Sequence, residues 1–335
     1  MTALYPLRFR PIFKQYLWGG RRLETLLNKR LGQGERFAES WEVVDHGEDQ
    51  SIVEAGPLSG QTLHELLETY GERLVGTSRG RRDRFPLLLK FLDAQRDLSV
   101  QVHPNDAQAA QLDPPDYGKT EAWYVIHADA GSRLYAGLQP GVDRASFRRA
   151  IDEKRVVDCL NVIVPKAGDC IFIPAGTVHA LGAGIVVTEL QQSSDTTFRV
   201  YDWDRVGPDG RPRELHIEEA MEVIDFDRGP IEPMASDVPE PTVELVRCFA
   251  FTWLRWRLDL RNPALTWPPD PSFHVLTVVE GAITVAGDAA ERPLVKGESM
   301  LVPAECRPDV QVVESPAVVL DGFVEKDRTT AELGG

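Results

Sequence analysis

The run Gly168-Asp169-Cys170-Ile171-Phe172-Ile173-Pro174-Ala175-Gly176-Thr177-Val178-His179 constrains this chain more than any other segment. A short apolar strand ends in a Pro/Gly turn, and the turn delivers one histidine at a fixed distance from the strand end. Some seventy residues upstream, Gln101-Val102-His103 alternates polar, apolar, polar, which on a strand points Gln101 and His103 to the same face. Glu121 then opens another apolar run over 122–126. Two imidazoles, a carboxylate and an amide oxygen make a workable four-ligand site for a divalent metal.

Composition narrows the class. At 335 residues the chain exceeds the usual ceiling for one hydrophobic core, and two domains is the natural division. A formal charge of −15 with no basic stripe argues against nucleic acid or an anionic membrane as partner, since both are polyanions. A small anionic substrate remains compatible if a few Lys and Arg line its pocket. The four cysteines, Cys159, Cys170, Cys248 and Cys306, are far apart with no Cys-x-x-Cys pair; they read as reduced, buried small hydrophobes. Residues 1–10 lack the apolar core of a signal peptide and no run approaches the ~20 apolar residues of a membrane helix. A soluble cytoplasmic protein is the expectation, and nothing in the sequence requires more than a monomer.

Short apolar runs punctuated by Gly, Pro and Asp dominate, at 51–53, 85–92, 98–102, 122–126, 162–164, 170–173, 185–190 and 197–201. They predict a β-sandwich or barrel. Helical periodicity is confined to 62–70, 105–111 behind an Asn cap, 144–153 and 214–224. Residues 226–242 are rich in proline and acids, as a connection between domains is, which places a boundary near residue 235. Beyond it come strands at 243–258, 273–279, 282–285, 299–302 and 310–320. Gly297-Glu298-Ser299-Met300-Leu301-Val302-Pro303-Ala304 echoes the run from Gly168 to Ala175, a weak internal repeat. The position equivalent to His179 is Pro308, which offers no ligand. The C-terminal unit is therefore expected to be metal-free, with His274 a structural histidine. His46, His64, His127 and His216 lack ligand-type company and read the same way.

The Gly-x5-Pro-x-Gly-x2-His spacing resembles the second metal motif of cupin barrels. Gln101-Val102-His103-Pro104-Asn105, Gly118-Lys119-Thr120-Glu121, Pro174-Ala175-Gly176-Thr177-Val178-His179-Ala180-Leu181-Gly182 and the run from Gln192 to Asp202 together resemble the type I mannose-6-phosphate isomerases, in their short bacterial form. Lys14-Gln15-Tyr16-Leu17-Trp18-Gly19-Gly20 and Ala38-Glu39-Ser40-Trp41-Glu42 are similar to that family's opening signatures. The resemblance is dense over 5–226 and loose beyond. It implies an all-β fold with a few helices, made of two tandem cupin-like jelly-roll barrels: a catalytic metal-binding barrel at 1–235 and a metal-free one at 236–335.

The same resemblance implies one zinc ion per chain held by Gln101, His103, Glu121 and His179. It also implies interconversion of mannose 6-phosphate with fructose 6-phosphate by proton transfer between C1 and C2 through an enediol. Such a reaction needs charge stabilisation and a group that takes and returns a proton. Arg199 stands where the family keeps an active-site arginine; Glu189 and Lys119 are the candidate proton carriers. Ser99, on the strand face of Gln101, and Lys90, inside an apolar run, are the candidate phosphate ligands; the other place for Lys90 is the open face of an edge strand. Gln101 in place of the usual cupin histidine, and the insertion at 105–118 that separates His103 from Glu121, agree with the isomerase pattern rather than with dioxygenase cupins. Two other readings fit the residues: an isomerase of another aldose phosphate, and a non-catalytic sugar-binding or regulatory cupin.

Overall fold

Two antiparallel sheets face each other in the first two-thirds of the chain in the computed structural model, which describes residues 2–77, 83–207, 210–235, 238–268 and 271–325. The larger sheet runs Ile12–Gly20, Phe37–Val43, Leu87–Ala94, Ile185–Gln192, Glu121–Ala128, Asp169–Ile173, Met234–Ala235. The smaller runs Phe198–Tyr201, Val100–Val102, His179–Leu181, Leu134–Leu138, Leu160–Ile163. Between them Trp123, Val125, Ile171 and Val187 of the larger sheet meet Leu134, Ala136, Ile163 and Leu181 of the smaller. Alternation along each strand puts one set of side chains in this interior.

A second curled sheet follows: Thr242–Arg247, Thr252–Leu258, Val310–Phe323, His274–Val285, Leu294–Val295, with Ser299–Val302 also paired to His274–Val285. Register shifts around Glu280 bend the long strand at Gly281, whose φ is +66° and where a Cβ would lie 2.3 Å from the Pro316 carbonyl oxygen. Only glycine fits that bend. The sheet closes over Leu254, Leu276, Ile283, Met300 and Val319. The sequence echo is structural: Gly168 and Gly297 have φ of +93° and +87°, and each leads into a strand of its own barrel, Asp169–Ile173 and Ser299–Val302.

The start of the chain is sewn into the second sheet. Leu7 and Leu301 exchange backbone hydrogen bonds at 2.7 and 2.9 Å, and buried Arg8 binds Asp288 at 2.7 Å and Glu298 at 2.8 Å. One apolar cluster includes Leu66, Leu74, Phe85 and Leu190 together with Leu245, Phe273, Val275 and Leu320, so the two sheet systems share a core.

The expected helices are present as Leu63–Tyr70, Asp106–Ala109, Arg144–Asp152 and Ile217–Val223. The first three start at capping boxes built on Thr62, Asn105 and Asp143. Several strand readings change: the two strands expected at 273–279 and 282–285 run as one, His274–Val285, and Leu134–Leu138 is an additional strand. Residues 51–53 form only isolated bridges. The expected strand over 243–258 is a hairpin that turns where the Cys248 amide donates to the Phe251 carbonyl at 3.0 Å. Strands Ile12–Gly20 and Phe37–Val43 lack the simple alternation that marks a half-buried strand: the first is interrupted by bulges, and the second is buried on both faces while carrying Glu39, Ser40 and Glu42. Among the described residues no helix is long and apolar enough to cross a membrane.

Candidate metal centre and active site

Strand register assembles the site. In the smaller sheet Gln101 sits between His179 on one neighbour and Arg199 on the other. Val100 and Val102 point the opposite way into a separate apolar cluster, which leaves Gln101 facing the interior. In the larger sheet Glu189 pairs with Lys90 on one side and Trp123 on the other, and Gln191 pairs with Glu121. His103 lies just past its strand, at the entrance to the 105–118 segment.

His103, Glu121 and His179 are buried with their ligand atoms within 4.8 Å of one another. His103 Nε2 is 3.4 Å and His179 Nε2 3.3 Å from the Glu121 carboxylate. Each ring is oriented from behind: His103 Nδ1 lies 2.9 Å from the Thr196 carbonyl, and His179 Nδ1 lies 2.9 Å from the Thr177 carbonyl. Donation to those carbonyls assigns the proton to Nδ1 in both rings and leaves both Nε2 lone pairs turned inward. Burial pushes the His179 ring down to about 4 and lowers His103 as well, so both stay neutral as metal ligands must. The Gln101 amide reaches His179 Nε2 at 3.2 Å; turned about its last bond, it presents oxygen at the same place. Glu121 Oε1 is buried with no hydrogen-bond partner among the described residues, and burial followed by the nearby Glu189 raises its carboxyl to about 7. An orphaned carboxylate oxygen beside two inward lone pairs is the donor set that a divalent cation satisfies.

Next to this cluster runs a buried row of alternating charge. Glu39 faces Lys90 at 3.8 Å, Lys90 faces Glu189 at 3.2 Å, Glu189 faces Lys119 at 3.7 Å, and Lys119 faces Glu121 at 2.6 Å. Burial works against the Lys90 charge, but Glu189 and Glu39 outweigh it and raise Lys90 above its ordinary value. Burial also opposes charge on Glu189, yet Lys90 and Lys119 hold it below the usual carboxylate value, and Trp123 Nε1 donates to it at 3.0 Å. Buried charges of this kind persist only as a matched set.

A cavity of about 270 Å³ opens on this row, and its walls include Lys90, Ser99, Gln101, Lys119, Glu189 and Arg199. His103, Glu121 and His179 lie directly behind Lys119 and Gln101. All nine residues singled out in the sequence are thus within one site. Lys90 is on an interior strand and 5% exposed, which excludes the edge-strand placement. Arg199 donates to the Glu214 carbonyl at 2.9 Å, and its Nε has no partner among the described residues. Residue reasoning assigned no role to Glu39, Trp18 and Tyr16, which also line the cavity. Their signal lay in the two N-terminal signatures, but the distance along the chain hid their proximity to Lys90.

A family model described as phosphomannose isomerase type I, catalytic domain, matches residues 7–134, a span holding Lys90, Ser99, Gln101, His103, Lys119 and Glu121. The mannose-6-phosphate isomerase ManA of Bacillus subtilis is 36% identical over 308 residues, 89% of this chain and 93% of the relative. The chain belongs to the type I phosphomannose isomerase family. As a family member it is an isomerase. The mannose-6-phosphate isomerase of Streptococcus mutans is 35% identical over 305 residues, 89% of this chain and 92% of the relative. The crystal structure of the mannose 6-phosphate isomerase from Bacillus subtilis superposes with a TM-score of 0.83 at 30% identity, over 96% of this chain and 100% of that one. The cupin-type barrels of this family member thus match an experimental fold along nearly their whole length.

Proposed function

We propose that the chain is a zinc-dependent aldose–ketose isomerase that interconverts mannose 6-phosphate and fructose 6-phosphate through an enediol, with the chemistry in residues 1–235 and residues 236–335 forming a metal-free companion barrel. One observation carries the reading: a buried His103–Glu121–His179 cluster with Gln101 beside it abuts a cavity lined by Lys90, Ser99, Glu189 and Arg199. Gln101, His103, Glu121 and His179 would hold the zinc ion, which would supply Lewis-acid stabilisation of the negative charge that develops on the sugar. Two imidazoles, an amide and a carboxylate make an N/O donor set that suits zinc.

The chain's own groups supply the rest. Glu189 is held ionised by Lys90 and Lys119 and lines the cavity, where its carboxylate can accept the C2 proton of the opened sugar and return it to C1. Lys119, 2.6 Å from Glu121, is the other group in reach for that transfer. Arg199 holds a fixed planar cation over the substrate oxygens. Ser99 and Lys90 take the phosphate end, on the same wall as Gln101. Four free thiols suit the reducing cytoplasm.

The test is formation of fructose 6-phosphate from mannose 6-phosphate by purified protein, before chelation, after it, and after zinc restoration. Turnover that survives complete metal removal rules out the metal-centred part. Faster turnover of glucose or arabinose phosphate at equal concentration reassigns the substrate.

A further inference from the structure

The strand Phe37–Val43 has two working faces. Glu39 points to Lys90 and the catalytic cavity, and alternation sends Ser40 and Glu42 to the opposite side. There Glu42 accepts from Lys29 at 2.6 Å and from Ser40 at 2.5 Å. Beyond them lies a groove of about 650 Å³, between residues 8–13, the end of the helix Arg22–Leu27 and residues 292–299 of the second barrel. That volume falls in the range of small-molecule sites.

The groove inverts the charge of the protein. The chain carries −15 overall, yet the groove wall holds six cations against three carboxylates. The carboxylates are already matched: Glu42 by Lys29 at 2.6 Å, Glu298 by Arg8 at 2.8 Å and Arg292 at 2.6 Å, Glu54 by Arg292 at 3.8 Å. Arg10, Arg30 and Lys296 remain, from three separate segments, and none has a carboxylate partner among the described residues. Three like charges gathered in a concave surface repel one another and focus a positive potential.

The walls are preformed. Arg8 is 4% exposed and donates to Asp288, Glu298 and the Arg292 carbonyl. Gly297 packs so tightly on the first barrel that a Cβ there would lie 2.2 Å from the Leu27 carbonyl oxygen. Both rims are thus held before any ligand arrives, which lowers the ordering cost of binding. Pro11 and Phe13 add an apolar strip to the same wall.

We propose that this groove binds a small organic molecule carrying two phosphates, with the phosphates on Arg10, Arg30 and Lys296 and the body on Pro11 and Phe13. Two phosphates supply enough negative charge to match three free cations, two of which can grip phosphate in bidentate fashion. The site is separate from the catalytic cavity, and its occupancy does not depend on which sugar is turned over.

Calorimetric titration of the full-length, metal-loaded protein with inorganic pyrophosphate, fructose 1,6-bisphosphate and ADP tests this. At least one should saturate with a Kd below about 1 mM and weaken steeply with added salt; the tightest of the three identifies the ligand body. The combined substitution Arg10→Gln, Arg30→Gln, Lys296→Gln should weaken binding by ~30-fold or more and leave isomerase turnover unchanged. The charge-preserving set Arg10→Lys, Arg30→Lys, Lys296→Arg should lose clearly less affinity than the glutamine set, because it gives up the bidentate geometry but keeps the charge. Absence of saturation by about 10 mM for all three probes, or affinity unaltered in the glutamine variant, overturns the proposal. So does equal loss in both variants.

Discussion

The Nδ1 of His103 lies 2.9 Å from the carbonyl oxygen of Thr196, and this one contact decides which nitrogen of the ring faces Glu121. Thr196 is itself tied down, because its hydroxyl donates to Asp116 at 2.7 Å and the neighbouring Ser194 hydroxyl donates to the same carboxylate oxygen at 2.7 Å. Arg84 closes the set at 3.0 Å from Asp116. The 105–118 segment therefore orients a candidate metal ligand through a side chain that does not itself touch the His103–Glu121–His179 cluster.

Asp116→Ala should weaken zinc binding by about 10–100-fold, the cost usual for losing a group that orients a ligand. Competition with a chromogenic chelator measures it. Parent-like zinc affinity in a folded variant would disprove the positioning role.

Asp116 should also contribute to acid sensitivity. Burial tends to raise its carboxyl, but nearby His46 and the hydrogen bonds from Ser194 and Thr196 prevail and hold it well below the usual value. A depressed folded-state value means that the stabilisation is complete above the unfolded pKa of about 3.9 and is lost as pH falls below that toward the folded value. Urea midpoints of the parent at pH 5 and pH 3 should differ by more than those of Asp116→Asn. Identical pH dependence in the two proteins counts against the assignment.

Lys90→Met should be costly despite its similar length. It leaves Glu39 and Glu189 buried without the cation between them, 3.8 and 3.2 Å away. Breaking a buried charge set in this way typically costs about 3–5 kcal/mol. A urea-denaturation loss under about 1 kcal/mol would show that water or protonation relieves the two carboxylates.

Arg199→Ala should cut turnover by roughly 100-fold or more if the guanidinium meets charge that develops in the transition state, with zinc content unchanged. Its backbone amide and carbonyl bond to the His216 ring and amide at 3.3 and 2.8 Å, contacts that do not need the guanidinium, so the fold should survive. Full turnover in this variant would move Arg199 out of the mechanism; sugar-phosphate binding with no turnover in the parent would favour a regulatory protein.

Metal loading should raise the melting temperature, because the folded site binds the ion far better than the unfolded chain does. Free zinc at 1,000 times its Kd adds about 4 kcal/mol, which for a chain of this size is a rise of roughly 5 °C or more. Equal melting curves for chelated and zinc-loaded protein would mean that the four side chains do not close on the ion.

Much of the site was legible along the chain because its chemistry is local. The turn before His179, the alternation of Gln101 and His103 and the apolar runs of the barrel strands all follow from neighbouring residues. The strands Ile12–Gly20 and Phe37–Val43 were not legible, since their polar side chains are buried by charges that arrive from elsewhere. Glu39 looks like a surface acid until Lys90 is placed beside it.

By itself the order of residues determined the β architecture, the ligand types and the capped helices, because dihedral preference, side-chain alternation and turn chemistry act over a few positions. Only the tertiary structure decided that Lys90, Glu189, Lys119 and Glu121 form one alternating row, that Asp116 steers His103 through Thr196, and that Arg10, Arg30 and Lys296 meet in one groove. Those relations depend on strand register and on the docking of two barrels, where Coulomb energy falls with distance in space and is indifferent to separation along the chain.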